Sequence, residues 1–157
     1  MSASHQIGQT LRVEFGYASP HFLDAASAVS VRHLTPWVSI LAYPEVAIES
    51  ILPLLETVAK TGRPLVLFCS DLPAELRAML IVNNQQAALR CVAIDAPSRT
   101  EYDRASLFAI AAATGARIVA SNHMLERTTL DMLGQAGSAT VDALSTVLAG
   151  FPLLQPQ

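Results

Sequence analysis

The chain has 157 residues, of which 52% are hydrophobic and only 15% charged. That is enough for one domain with a substantial core, with well under the roughly 25% charge of an ordinary soluble domain. A formal net charge of −3 and the lack of any Lys/Arg run argue against nucleic-acid or anionic-membrane binding. No apolar run approaches the roughly 20 residues of a membrane span, and "MSASHQIGQ" has neither the basic start nor the apolar core of a signal peptide. A soluble, cytoplasmic protein is expected.

Residues 1–10 read as a flexible polar head, 11–150 as one domain, and "FPLLQPQ" (151–157) as a tail. Within the domain, residues 11–35 are strand-like but interrupted at "EFGYASPHFLD" (14–24). Gly16, Ser19 and Pro20 mark exposed turn there, yet Tyr17 and Phe22 are costly to leave in water. The segment itself holds no nucleophile–base pair or metal cluster, so a site completed elsewhere in the chain and a sticky surface are the two readings the rest of the sequence must decide between.

From "WVSILA" (37–42) onward, short branched runs alternate with helix-length segments. Strands are predicted at 37–42, 64–69, 90–96 and 116–121, and helices near 47–61, 73–87 and 100–114. This alternation predicts an α/β fold, a parallel sheet with covering helices. Gly62 and Gly115 stand where glycines end helices, Pro73 suits a first helical turn, and Ser98 with Glu101 makes a capping-box pattern. "GQAG" (134–137) reads as a helix stop, and residues 138–149 join 11–35 in a small antiparallel sheet.

The first two helices carry more apolar surface than one core can use. In the first, Ile48, Leu52, Leu55 and Ala59 form one stripe, and Ile51, Leu54 and Val58 a second beside it. Together they span roughly 160°, against the ≳100° a core-facing helix needs. In the second, Leu76, Met79 and Leu80 oppose Ala74, Ala78, Ile81 and Val82. The surplus requires a neighbouring element, a dimer contact or a binding groove.

Enzymatic motifs are not apparent. Neither G-x-x-x-x-G-K-[ST] nor G-x-G-x-x-G after a strand occurs, and no serine lies in a G-x-S-x-G elbow. His5, His21, His33 and His123 lack metal-ligand spacing. Cys69 and Cys91 lie in apolar runs, as buried reduced thiols do. Asp71 and Asp95 follow predicted strands, where a Mg²⁺ or receiver-like site is conceivable in a small doubly wound domain. They equally suit a helix cap and a turn before Pro97. No metal or cofactor is expected.

Five segments occur in an order and spacing that resemble a known family: "GYASPHF" (16–22), "ILPLLETVAKTGRPLVLF" (51–68), "MLIVNN" (79–84), "AATGARIV" (112–119) and "TLDMLGQA" (129–136). They look like the apical domain of group I chaperonins, the bacterial GroEL type, over residues 11–150. The resemblance implies the chaperonin apical-domain fold, and an apolar groove that takes non-native polypeptides and the mobile loop of a GroES-type co-chaperonin. It assigns to that groove Leu52, Leu55, Glu56 and Ala59 from the first helix, Ile81, Val82 and Asn83 from the second, and Tyr17, His21 and Phe22 from the turn. His21 stands where the family usually has tyrosine, Arg77 where it has a groove leucine, and Gln86 where it has arginine. "APSRTEYDR" (96–104) replaces a glycine-rich stretch, and "TVDALSTV" (140–147) lacks the usual Asn-Lys-Asp turn. The equatorial Gly-Asp-Gly-Thr-Thr motif is missing. ATP, Mg²⁺ and ring assembly are therefore expected only of a full-length parent, and the isolated domain as a non-enzymatic monomer.

Overall fold

The computed structural model describes residues 9–152, so the expected flexible head and tail lie almost wholly outside the described residues. Two sheets make the frame. One is antiparallel, in the order β1 (Thr10–Val13), β9 (Thr146–Ala149), β8 (Ser138–Asp142), β2 (Ser30–Leu34). The other runs β5 (Cys91–Asp95), β4 (Leu65–Cys69), β3 (Trp37–Leu41), β6 (Ile118–Val119), with β7 (Gly134–Gln135) added to β3. The expected mixed architecture, a parallel sheet with a small antiparallel one, is present.

β3 and β4 are buried at every position, which is why their sequences read as near-continuous apolar runs, broken only by Ser39, rather than alternating ones. β2 alternates exposed and buried instead, as a strand with one wet face must. The parallel strands are joined by α1 (Ile48–Thr61), α2 (Ala74–Gln85) and α3 (Glu101–Thr114). The chain steps from β3 to β4 to β5 in one direction, then returns past both to β6. Right-handed crossovers therefore put α1 and α2 on one face of the sheet and α3 on the other. Beyond α1 on its own face lie the short α4 (Asn122–Glu126) and the 3₁₀ turn Leu130–Met132. Both pack against α1.

Local chemistry explains most element ends. Gly62 and Gly115 take φ of 75° and 86° at the ends of α1 and α3, a left-handed conformation that is cheap for glycine. The cap of α3 differs from expectation. Thr100, not Ser98, accepts from the Asp103 N–H, and the Asp103 carboxylate accepts from the Thr100 N–H. Ser98 instead receives a hydrogen bond from Ser70 Oγ at 3.1 Å. Asp71 does not cap α2, whose first turn follows Pro73 with no side-chain cap. "GQAG" is not a helix stop: Gly134 and Gln135 pair antiparallel with Val38 and Trp37. A Cβ at Gly134 would lie 2.4 Å from Thr114 Oγ1, so only glycine lets this strand reach β3.

The two sheets are stitched together by the segment that looked like exposed turn. Tyr17 N–H donates to Asp142 O in the antiparallel sheet, at 3.0 Å. Ala18 N–H donates to Ala93 O at 2.8 Å, and Asp95 N–H to Gly16 O at 2.9 Å, both in the parallel sheet. Tyr17 thus forms a bridge with Ile94 and occupies the outer edge of β5. A Cβ on Gly16 would sit 2.0 Å from Ala143 O, so the close approach of the β8–β9 hairpin demands glycine there.

Candidate functional site

The candidate surface lies on the α1/α2 face. On α1, Ile51, Leu54 and Val58 point into the core, so the second of the two sequence stripes is the sheet-facing one. On α2, Leu76 and Leu80 are buried while Ala74 and Ala78 are exposed and Ile81 is half-buried. Leu52 is 38% exposed on α1 and Val82 is 48% exposed on α2. Each helix therefore leaves a large apolar side chain in water after its core contacts are complete.

The turn beside α2 is built from "SPHF". Ser19 Oγ accepts from His21 N–H at 3.1 Å and lies 3.1 Å from His21 Nδ1. The 3₁₀ turn Pro20–Phe22 packs on α2 and β5. Buried Asn84 ties the three together. Its Oδ1 accepts from Cys91 N–H at 3.0 Å and its Nδ2 reaches Phe22 O at 3.5 Å. Asn84 was not singled out in the sequence; an amide at every fourth position from Leu76 and Leu80 was the signal that it faces inward.

Among the assigned groove residues, the structure brings the turn against α2 and leaves His21, Leu52, Glu56, Val82 and Gln86 exposed. Tyr17, Ala59, Arg77, Ile81 and Asn83 are half-buried. Asn83 Nδ2 donates back to Met79 O at 2.8 Å, which leaves its carbonyl oxygen to accept from another chain. Two assignments need correction as surface positions. Phe22 is fully buried, and Leu55 is only 6% exposed. Phe22 is the plug of the turn, enclosed by α2 and β5, and Leu55 belongs to the main apolar cluster.

The competing carboxylate site gains little. Asp71 and Asp95 are exposed beyond β4 and at the end of β5, and among the described residues no group of three His, Cys, Asp or Glu side chains could hold a metal. In a doubly wound sheet the ligand crevice lies where the crossover direction reverses, which here is between β3 and β6. Burial pushes the Cys69 and Cys91 thiols up to about 11 and about 12. They stay protonated and are poor nucleophiles.

No protein-family model matches the chain. Over 142 residues, 89% of its length, it is 33% identical to "Chaperonin GroEL 5" of Bradyrhizobium diazoefficiens. The chain is a divergent relative of the GroEL-type chaperonins. It spans only 26% of that relative's length, and its mixed α/β architecture is compatible with a chaperonin apical domain. Among the described residues of this GroEL relative, no helix is long and apolar enough to cross a membrane.

Proposed function

We propose that residues 11–150 form a chaperone domain that binds exposed hydrophobic segments of non-native polypeptides on the α1/α2 face. The observation that carries this reading is the pair Leu52 and Val82, large apolar side chains left in water on two helices that share one face of the sheet. Ile81, Ala59 and Tyr17 add half-buried apolar surface, and the Asn83 side-chain carbonyl offers an acceptor for a client backbone N–H at the rim. Kinship with a protein called a chaperonin supports the same reading.

The reaction is burial without bond-making and needs no cofactor in this chain. An extended client segment places three or four apolar side chains against the helices, a gross gain of about 6–10 kcal/mol. Ordering the segment takes back roughly 2–5 kcal/mol. Affinity at one domain is therefore weak, micromolar at the tightest. A ring of such domains in a longer parent would multiply it through avidity. Arg77 and His21 put polar groups at the edge of the surface, which favours general client binding over tight co-chaperonin binding. The unpaired thiols Cys69 and Cys91 suit a reducing cytoplasm.

Titrating a labelled protein with a short amphipathic peptide tests the placement by NMR. Amide shifts should concentrate in residues 17–22, 52–59 and 77–86. Shifts confined to any other surface would refute it.

A further inference from the structure

The reversal point of the parallel sheet is occupied by a pocket of about 270 Å³, on the face opposite α1 and α2. Ala42, Ser98, Arg104, Leu107, Phe108 and Ile118 line it. Ala42 follows the end of β3 and Ile118 opens β6. Strands β3 and β6 are joined to the rest of the sheet by crossovers running in opposite directions, the arrangement that opens a crevice in doubly wound sheets. The first half of α3 forms the outer wall.

Two features of that wall are unexplained by folding. Phe108 is 63% exposed, a large ring held in water at the rim. Arg104 is exposed, and among the described residues no carboxylate pairs with it. Its Nη1 makes only long contacts, 3.4 Å each, to Ser98 O and Arg99 O. The first turn of α3 is closed by the Thr100–Asp103 box, so an anion arriving here meets the guanidinium rather than free helix amides.

We propose that this pocket binds a small amphipathic anion, with a planar apolar body against Phe108, Leu107 and Ile118 and a carboxylate or sulfonate paired with Arg104. Its volume lies just below the roughly 300 Å³ at which ligand pockets usually begin and suits a fragment of one or two rings. Arginine matches planar oxyanions with two parallel N–H donors. The site lies on the opposite face from the proposed polypeptide surface and does not depend on it.

Naphthalene-2-sulfonate, a planar two-ring anion, is the probe, read by the change in its intrinsic fluorescence with wild type, Arg104→Gln, Phe108→Ser and Val82→Glu. All three positions are exposed or half-buried, and thermal melts establish that each variant is folded. Saturable binding should weaken about tenfold in Arg104→Gln, the loss of one charge-assisted pair, and by a similar factor in Phe108→Ser. Val82→Glu should leave it unchanged. Affinity within twofold of wild type in both Arg104→Gln and Phe108→Ser, or loss of binding in Val82→Glu, would overturn the proposal.

Discussion

At the level of single residues, His33 carries the clearest consequence. It is buried in β2, and among the described residues its Nε2 has no hydrogen-bond partner. Burial, with the Arg90 guanidinium acting in the same direction and Asp24 against it, holds its pKa below the ordinary 6.5. The folded protein therefore binds this proton less readily than the unfolded chain. The stability it contributes is complete above pH 6.5 and is lost as pH falls, at a rate of at most about 1.4 kcal/mol per pH unit from one group. His33→Leu should flatten denaturant midpoints between pH 6.5 and 5; an undiminished slope would place the sensitivity elsewhere. Residue-level reading of the sequence was weakest where cover comes from afar. Phe22 looked like surface because its neighbours are turn formers, yet α2 and β5 enclose it. Leu55 shares a stripe with Leu52, and no helical periodicity says which flank of that stripe the rest of the chain will cover.

The elements themselves were far more legible. The four parallel strands and the three long helices match their expected spans to within about two residues at each end, because buried branched runs and glycine stops are local signals. Two elements escaped. β7 is two residues long and contains a glycine, so its only signature is the space it needs beside Thr114. α4 is a single turn whose worth lies in what it contacts. Asn122 Oδ1 accepts from Tyr43 Oη at 2.8 Å and Ala47 N–H at 2.9 Å, and Glu126 accepts from Ser50 Oγ at 2.6 Å. The α3 cap gives a test at this scale. Thr100→Ala removes the acceptor for Asp103 N–H and should cost about 1 kcal/mol, read as a lower urea midpoint. Glu101→Ala, which leaves the Thr100–Asp103 box intact but removes the side chain the Ser98 pattern needs, should cost less than half of that. Equal losses would mean that the Ser98–Glu101 pattern, and not the Thr100 box, sets the helix start.

Taken whole, the molecule is two sheets pinned together by Gly16, Tyr17 and Ala18. That pinning alters the sense of the aromatic turn: it is a structural joint first, and of its three rings only those of Tyr17 and His21 remain accessible. The low charged fraction has a similar resolution. Most of the excess apolar content fills strands buried on both faces, and the remainder emerges at a few positions such as Leu52, Val82 and Phe108. Periodicity could show that α1 and α2 had apolar surface to spare; only the crossover order shows that both present it on the same face. Kinship to a GroEL-type chaperonin gives that shared face its proposed use. The most direct test is fluorescence anisotropy of a labelled amphipathic peptide with wild type and Val82→Glu. Val82 is half in water, so a carboxylate there should leave the melting temperature unchanged while weakening peptide binding at least about tenfold, the cost of one desolvated charge in the contact. A folded Val82→Glu protein that binds the peptide as well as wild type would contradict the account.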